Sequence, residues 1–298
     1  MALRPPSLER LRALQAVCRN GGFSAAAQEL LLTQSAVSTR IRLLEQETSV
    51  QLVERIGKSA RPTPAGEILL ACAGRVFDDL EASLGAIAGL SGDLAGRLVI
   101  GAGGTATTYL LPDPLAAFSA HYPRVEVKIV TGNTPDLAAA LVAAEIDLVV
   151  ATAPLGDARL DHARFFDDRL VCIAPAAAAP TLKRVRPADL AGRRVFLYER
   201  GSLIREVVDG WLGGDAAAAE IQEIGSAEAQ KTFVRAGAGW SIISEIAVAD
   251  EVRRGLLRVI PLAPALARHL VVAWRRDRAQ NPAIAAARRV LLDGTPRR

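Results

Sequence analysis

The stretch Thr33-Gln34-Ser35-Ala36-Val37-Ser38-Thr39-Arg40-Ile41-Arg42-Leu43-Leu44-Glu45 decides how the chain is read. The Thr33 hydroxyl can accept an otherwise orphaned backbone N–H, so a helix starts there. Val37, Ile41 and Leu44 recur at helical spacing and form one apolar stripe. The opposite face carries Gln34, Ser35, Ser38, Thr39 and Arg42, with no acid before Glu45. Such a face fits a major groove, where Gln and Arg meet base edges and Ser and Thr meet phosphates. A merely solvated surface helix has the same pattern, so the residues before it matter. Ser24-Ala25-Ala26-Ala27-Gln28-Glu29-Leu30-Leu31 reads as a second short helix capped by Ser24. Only a short turn around Leu32 separates the two, and it lacks the usual Gly. Two short helices, a tight turn and a polar-faced second helix make a helix-turn-helix.

Charge points the same way. The chain has 298 residues and a net charge of +4, from 36 Lys and Arg against 32 Asp and Glu. Residues 1–66 hold nine of the bases and five of the acids, so the whole excess lies in this segment. The rest is neutral. A basic segment around a helix-turn-helix is the electrostatic footprint of a nucleic-acid binder.

Outward from the motif, Ser7 to Arg19 reads as a first helix with Leu8, Leu11, Leu14 and Val17 on one face. Gly21-Gly22 ends it, and Phe23 plugs the core between helices. Val50-Gln51-Leu52-Val53 suggests a short strand. The basic loop Arg55-Ile56-Gly57-Lys58-Ser59-Ala60-Arg61 has the form of a wing, with Arg55, Lys58 and Arg61 set for phosphates or the minor groove, although a solvated turn would account equally well for any one of them. Thr63 then caps a long helix with Pro64 at its first position. Its apolar residues Leu69, Cys72, Val76, Leu80, Leu84, Ile87 and Leu90 resemble a coiled-coil seam. From Pro64 to Ser91 it would run roughly 42 Å, long enough to want a partner. We read it as a dimerisation arm, with packing on its own domain as the alternative. Gly92 and Gly96 mark a hinge.

From Arg97 the period changes. Leu98–Gly101, Val125–Val130 and Ile146–Val150 read as strands, with a helix running through Phe118 and another starting at Thr134. Strand and helix alternate again over Arg194–Tyr198, Ser202–Leu212, Glu220–Ile224, Ala227–Ala236 and Trp240–Ser244. This is α/β with largely parallel sheets. Ligands of such sheets sit outside the carboxyl ends of strands, near helix N-termini. That selects Thr105, Thr107 and Thr108 after the first strand, Thr131 after the second, and Ser202 and Ser226 further on. Hydroxyls and free N–H groups suit a carboxylate or another small anion, although each hydroxyl could equally serve as a helix cap.

Residues 1–66 resemble the DNA-binding domain of LysR-type transcriptional regulators. The matching pieces are Gly22-Phe23-Ser24-Ala25-Ala26-Ala27, Thr33 to Ser38, Leu44-Glu45, and Gln51-Leu52-Val53-Glu54-Arg55 running to Thr63-Pro64-Ala65-Gly66. Ser49, Val53 and Pro62 stand where the family prefers Gly, Phe and Leu. Weaker matches continue through Tyr109-Leu110-Leu111-Pro112, Tyr122-Pro123, Ile146-Asp147-Leu148 and Ala236-Gly237-Ala238-Gly239. The resemblance implies a mainly α winged helix-turn-helix over residues 1–63 and a linker and dimerisation helix over 64–92. It also implies an α/β, two-lobed effector domain like a periplasmic binding protein over 97–298. Its lobes would be residues 97–166 with 268–298, and 167–267, joined by strands crossing near Phe166–Leu170 and Ala267–Leu270. The tail Pro282 to Leu292 would return to the first lobe. The family's partners are double-stranded DNA, a small-molecule effector in the interlobe cleft, and further copies of itself as a dimer or tetramer. Tyr198-Glu199-Arg200-Gly201-Ser202-Leu203-Ile204-Arg205 resembles an anion-accommodating loop of one branch of the family, which adds Arg205 to the effector residues. Leu203-Ile204 replace that branch's Gly-Thr, so a more apolar acid is expected than an inorganic anion.

Other functions find little support. Gly101-Ala102-Gly103-Gly104 follows a strand but lacks a third Gly in register and any Gly-Lys-Ser/Thr, so nucleotide chemistry is weakly signalled. His121, His162 and His269 are scattered, with no hydrolase or metalloprotease motif around them. No cofactor or metal is expected. An architectural DNA binder without a ligand is disfavoured by the size of the neutral α/β region. Cys18, Cys72 and Cys172 are widely spaced and form no CxxC pair, which fits reduced thiols in the cytoplasm. Neither a signal peptide nor an apolar run of membrane-spanning length is apparent.

Overall fold

The computed structural model describes residues 5–56, 59–89, 94–176, 182–214 and 219–294. The chain divides into two compact units, Met1–Glu81 and Ala82–Arg298.

The first unit holds three helices, α1 (Leu8–Arg19), α2 (Phe23–Glu29) and α3 (Gln34–Thr48), then a hairpin of β1 (Val53–Ile56) and β2 (Ser59–Pro62). The helix α4 (Pro64–Gly89) starts in this unit and runs past its boundary. Leu14, Val17, Val37, Ile41, Leu44 and Leu52 fill its core, helped by Ala26 and Ala27 where α2 crosses. Burying each such aliphatic side chain stabilises the fold by roughly 1.5–3 kcal/mol.

Four local expectations need correcting. Leu8 is exposed, and Ala13 and Ala16 take up the inner face of α1 instead. Gly22, not Ser24, occupies the N-cap of α2, so Ser24 lies inside the helix. The strand begins at Val53 rather than Val50, because the N–H groups of Leu52 and Val53 donate to Glu45 Oε1 at 2.9 and 3.2 Å. The helix through Phe118 is in fact two, α5 (Gly104–Tyr109) and α6 (Pro112–His121), broken where Pro112 starts the second.

Thr63 caps α4 as expected: its hydroxyl accepts Gly66 N–H at 3.0 Å and donates to Gln51 C=O at 2.7 Å. A Cβ on Gly66 would lie 2.1 Å from the Leu52 carbonyl oxygen, so only glycine fits under that turn. Leu69, Leu70, Ala73 and Phe77 pack on the first unit's core, whereas Val76, Leu80, Leu84 and Ile87 are exposed in the single chain. Leu90, Ser91 and Gly92 lie outside the described residues.

The second unit is built on one eight-stranded sheet in the order β4-β3-β5-β10-β6-β9-β7-β8. One lobe uses β3 (Ala95–Ala102), β4 (Arg124–Thr131) and β5 (Leu148–Thr152), all parallel. Leu148–Thr152 is buried throughout, as expected of a strand covered on both faces. The helices α5, α6, α7 (Thr134–Val142) and α11 (Pro282–Asp293) flank it, with Phe118, Ile284 and Leu291 in one core cluster. The other lobe uses β7 (Arg194–Leu197), β8 (Glu220–Glu223) and β9 (Trp240–Ser244), with α8 (Leu203–Leu212), α9 (Ala227–Arg235) and α10 (Ala249–Arg253). Two long strands, β6 (Leu160–Pro175) and β10 (Leu257–Arg275), pair antiparallel and belong to both lobes. They cross where Leu266–Leu270 pair with Phe166–Leu170, between two breaks in register. Among the described residues, no helix is long and apolar enough to cross a membrane.

Candidate functional site

Two places concentrate the chemistry, one in each unit. In the first, α3 is held from within by Val37, Ile41 and Leu44 and from its start by Thr33, whose Oγ1 accepts Ala36 N–H at 3.2 Å. Gln34, Ser35, Thr39 and Arg42 stand exposed on its outer face. Ser38 is half-buried, and its Oγ accepts a hydrogen bond from Arg55 Nη2 at 3.1 Å. The Arg55 guanidinium also lies 4.3 Å above the Phe23 ring, so the hairpin cation is fixed against α2 and α3 together. Arg61 is exposed on β2, opposite Glu54 in the hairpin register, and Lys58 falls outside the described residues.

Four acids of this unit are engaged away from that face. Glu47 pairs with Arg10, Glu29 with Arg19, Glu9 with Arg40 at 3.0 Å, and Glu45 is taken up by backbone N–H groups. Arg42, Arg55 and Arg61 make no ion pair among the described residues, which leaves their charge to the polar face of α3 and the hairpin beside it.

The second place is a cavity of about 260 Å³ in the second unit. Its wall includes Thr105 and Thr108 from α5, Thr131 at the end of β4, Ser202 and Ser226 before α8 and α9, and Tyr198. The N-termini of α7, α8 and α9 all open onto it, through Asn133 and Thr134, Ser202 and Leu203, and Ser226 and Ala227. The first N–H groups of a helix have no partner within it and carry partial positive charge. Ser226 caps α9 through Ala229 N–H at 3.5 Å, while the Ser202 hydroxyl turns back and donates to Glu199 C=O at 2.8 Å.

Two residues named from the sequence do not join this wall. The Thr107 hydroxyl donates to Gly103 C=O at 3.2 Å, one turn back in its own helix. Arg205 is 3% exposed, with Nε on Asp209 at 2.8 Å and Nη1 on Tyr198 C=O and Glu223 at 2.8 and 3.1 Å. Its charge is spent inside α8 and β8, so it ties down the loop that presents Tyr198 and Ser202 and does not face the cavity.

Sequence reasoning missed the charged centre of this region. Arg268 on β10 lines the cavity at 8% exposure. Its Nε donates to Asp168 on β6 at 2.7 Å and its Nη1 to Thr152 at the end of β5 at 3.2 Å. Ser244 at the end of β9 donates to the other oxygen of Asp168. The signal was present: a lone Arg within the apolar run Leu266 to Val272, and acids in Phe166-Asp167-Asp168-Arg169. Alternation along β6 turns Asp168 inward and leaves Asp167 outside, where Arg164 and His269 hold its carboxyl below the usual range. Among the described residues no group of His, Cys, Asp and Glu could hold a metal ion. The Cys172 thiol is fully buried and its pKa is pushed up by burial, which makes it a poor nucleophile.

Comparison with known proteins agrees with this division. The bacterial regulatory helix-turn-helix family of the lysR type matches residues 8–67, and the LysR substrate binding domain matches residues 91–296. The chain is 33% identical to the HTH-type transcriptional regulator CbbR of Sinorhizobium medicae over 304 aligned positions, covering 99% of this chain and 95% of that protein. A full-length OxyR variant from Pseudomonas aeruginosa superimposes with a TM-score of 0.74 at 25% identity, over 97% of this chain and 94% of that one. CbnR, solved in complex with its target DNA, has the same fold, with a TM-score of 0.70 at 21% identity over 96% and 98% of the two chains. The chain belongs to the LysR-type transcriptional regulators, DNA-binding proteins with an effector-binding domain, and not to a family of enzymes.

Proposed function

We propose that this regulator reads its operator with Gln34, Ser35, Thr39 and Arg42 on α3. Thr33 and Ser38 shape that face, and Arg55, Lys58 and Arg61 contact the phosphates beside it. The observation that carries this reading is a rigidly packed helix whose outer face holds short polar groups and the cation Arg42, with no ion pair on Arg42 and no free acid on that face among the described residues. Exposed Val76, Leu80, Leu84 and Ile87 on α4 support self-association through that helix, as a dimer or a pair of dimers. The protein then works in the cytoplasm, where its DNA is.

The effector is a small anion held in the cavity of the second unit by Thr105, Thr108, Thr131, Ser202 and Ser226. Three helix N-termini around one small space favour negative charge. A ligand bound between lobes stabilises one arrangement of them, and that differential affinity is what resets the protein on DNA. Valine at Thr105 removes a hydroxyl from the wall at nearly constant size. The Thr105→Val protein should keep basal operator binding and lose or blunt its response to candidate acids in footprinting. An unchanged response would retire the cavity as the effector site.

A further inference from the structure

We infer that Arg268 is the anion-reading residue of the cavity, and that its ligand is a small carboxylate with one oxygen on Arg268 Nη2, within reach of Tyr198 Oη. This rests on the reading that the effector occupies the cavity.

The guanidinium is only partly satisfied. Nε and Nη1 are engaged by Asp168 and Thr152, but Nη2 is buried with no hydrogen-bond partner among the described residues. A buried donor on a cation that finds no acceptor is costly, and an anion in the cavity removes that cost. The Tyr198 hydroxyl is buried in the same wall beside the Thr105 hydroxyl, and it has no full hydrogen-bond partner among the described residues. Burial raises its pKa, an effect that the nearby Thr105 hydroxyl and the Arg268 cation only reduce, so the phenol stays a donor.

Charge in the wall selects a single negative group. Asp168 pairs with Arg268, while Lys231 is shared between Glu228 and Glu251, each at 2.7 Å. These side chains sum to −1, and only the N-termini of α7, α8 and α9 offset that charge. One carboxylate is the most such a wall accommodates, and it matches the one open guanidinium donor. A dianionic phosphate would bring a second charge close to Asp168 and Glu228.

The position also explains how binding would be felt. Arg268 and Asp168 are partners in the β10–β6 register at the crossing of the two lobes. Through Thr152 and Ser244 the same network reaches β5 in one lobe and β9 in the other. An anion on Nη2 thus touches the group that ties four strands together.

The test uses the full-length protein with acetate, malonate, succinate and benzoate, inorganic phosphate, and the uncharged amides acetamide and benzamide. Binding is followed by calorimetric titration and thermal shift. At least one carboxylate should bind, and its amide should not. Tyr198→Phe removes only a hydroxyl without a full bond and should weaken that carboxylate about tenfold. Arg268→Gln alone would leave Asp168 buried and uncompensated, so it is made with Asp168→Asn. The double variant should lose about ten- to a hundredfold. The proposal is overturned if no carboxylate binds, if phosphate is preferred, or if binding ignores both Tyr198→Phe and the double variant. Binding that ignores those variants but is lost in Thr105→Val retires Arg268 and leaves the cavity reading standing. A carboxylate that binds with no dependence on Thr105, Tyr198 or Arg268 retires both.

Discussion

Arg55 on the hairpin donates from Nη2 to the Ser38 hydroxyl on α3 at 3.1 Å, and its guanidinium stacks 4.3 Å over Phe23 on α2. One cation therefore joins the two helices of the motif to the wing. It is held in place before DNA arrives and keeps donors to spare for a phosphate, since a guanidinium has five. Arg55→Ala should weaken binding to all sequences by a similar factor. It should also make the slope of log affinity against log salt shallower by about 0.9. Anisotropy titrations at several salt concentrations measure this, and an unchanged slope would show that Arg55 only braces the fold.

Leu31 takes the turn of the motif with φ +54° and is 92% exposed. A leucine there bears left-handed backbone strain and buries almost nothing in return. Leu31→Gly should stabilise the first unit by about 1 kcal/mol in urea unfolding. Ser49, the C-cap of α3 at φ +55°, should respond the same way. Destabilisation by either change would mean that the side chains make contacts that outweigh the strain.

Arg205 is buried between Asp209, Glu223 and the Tyr198 carbonyl. Replacing it by Leu should cost about 2–3 kcal/mol, less than for a fully buried pair, because both acids stay part-exposed. The effector should still bind the folded fraction with wild-type affinity in a titration. A selective loss of effector binding in a fully stable Arg205→Leu protein would return this residue to the site.

Val76 and Leu80 lie exposed on α4 in the single chain. Glu at both positions should dissociate a dimer built on this helix, because an unpaired charge in an apolar contact costs several kcal/mol. Sedimentation would then give the monomer mass. A double variant of unchanged mass would place self-association elsewhere.

Much of this was legible in the sequence because it is local. The Thr33 cap, the stripe of Val37, Ile41 and Leu44, and the strand Trp240–Ser244 depend on spacing and neighbours alone. The start of β1 was misplaced because Glu45 captures the N–H groups of Leu52 and Val53, a contact seven and eight residues long. Arg205 looked like a ligand for want of its partner Glu223 on a separate strand. Arg268 was missed because its meaning depends on Asp168, 100 residues earlier, and on which of two adjacent aspartates the pleat turns inward. Periodicity marks the faces of an element, but long-range register decides which charge meets which.

The central claim is that α3 reads DNA. Its most direct test is a binding titration on the protein's own promoter fragment and on a scrambled duplex of the same length. Wild type, Gln34→Ala and Lys58→Ala would be compared at one salt concentration. Gln34→Ala should lose about 1–3 kcal/mol on the promoter and almost nothing on the scrambled duplex, while Lys58→Ala should weaken both alike. Wild-type promoter affinity in the Gln34→Ala protein, with its fold intact, would contradict the assignment of α3 as the recognition helix.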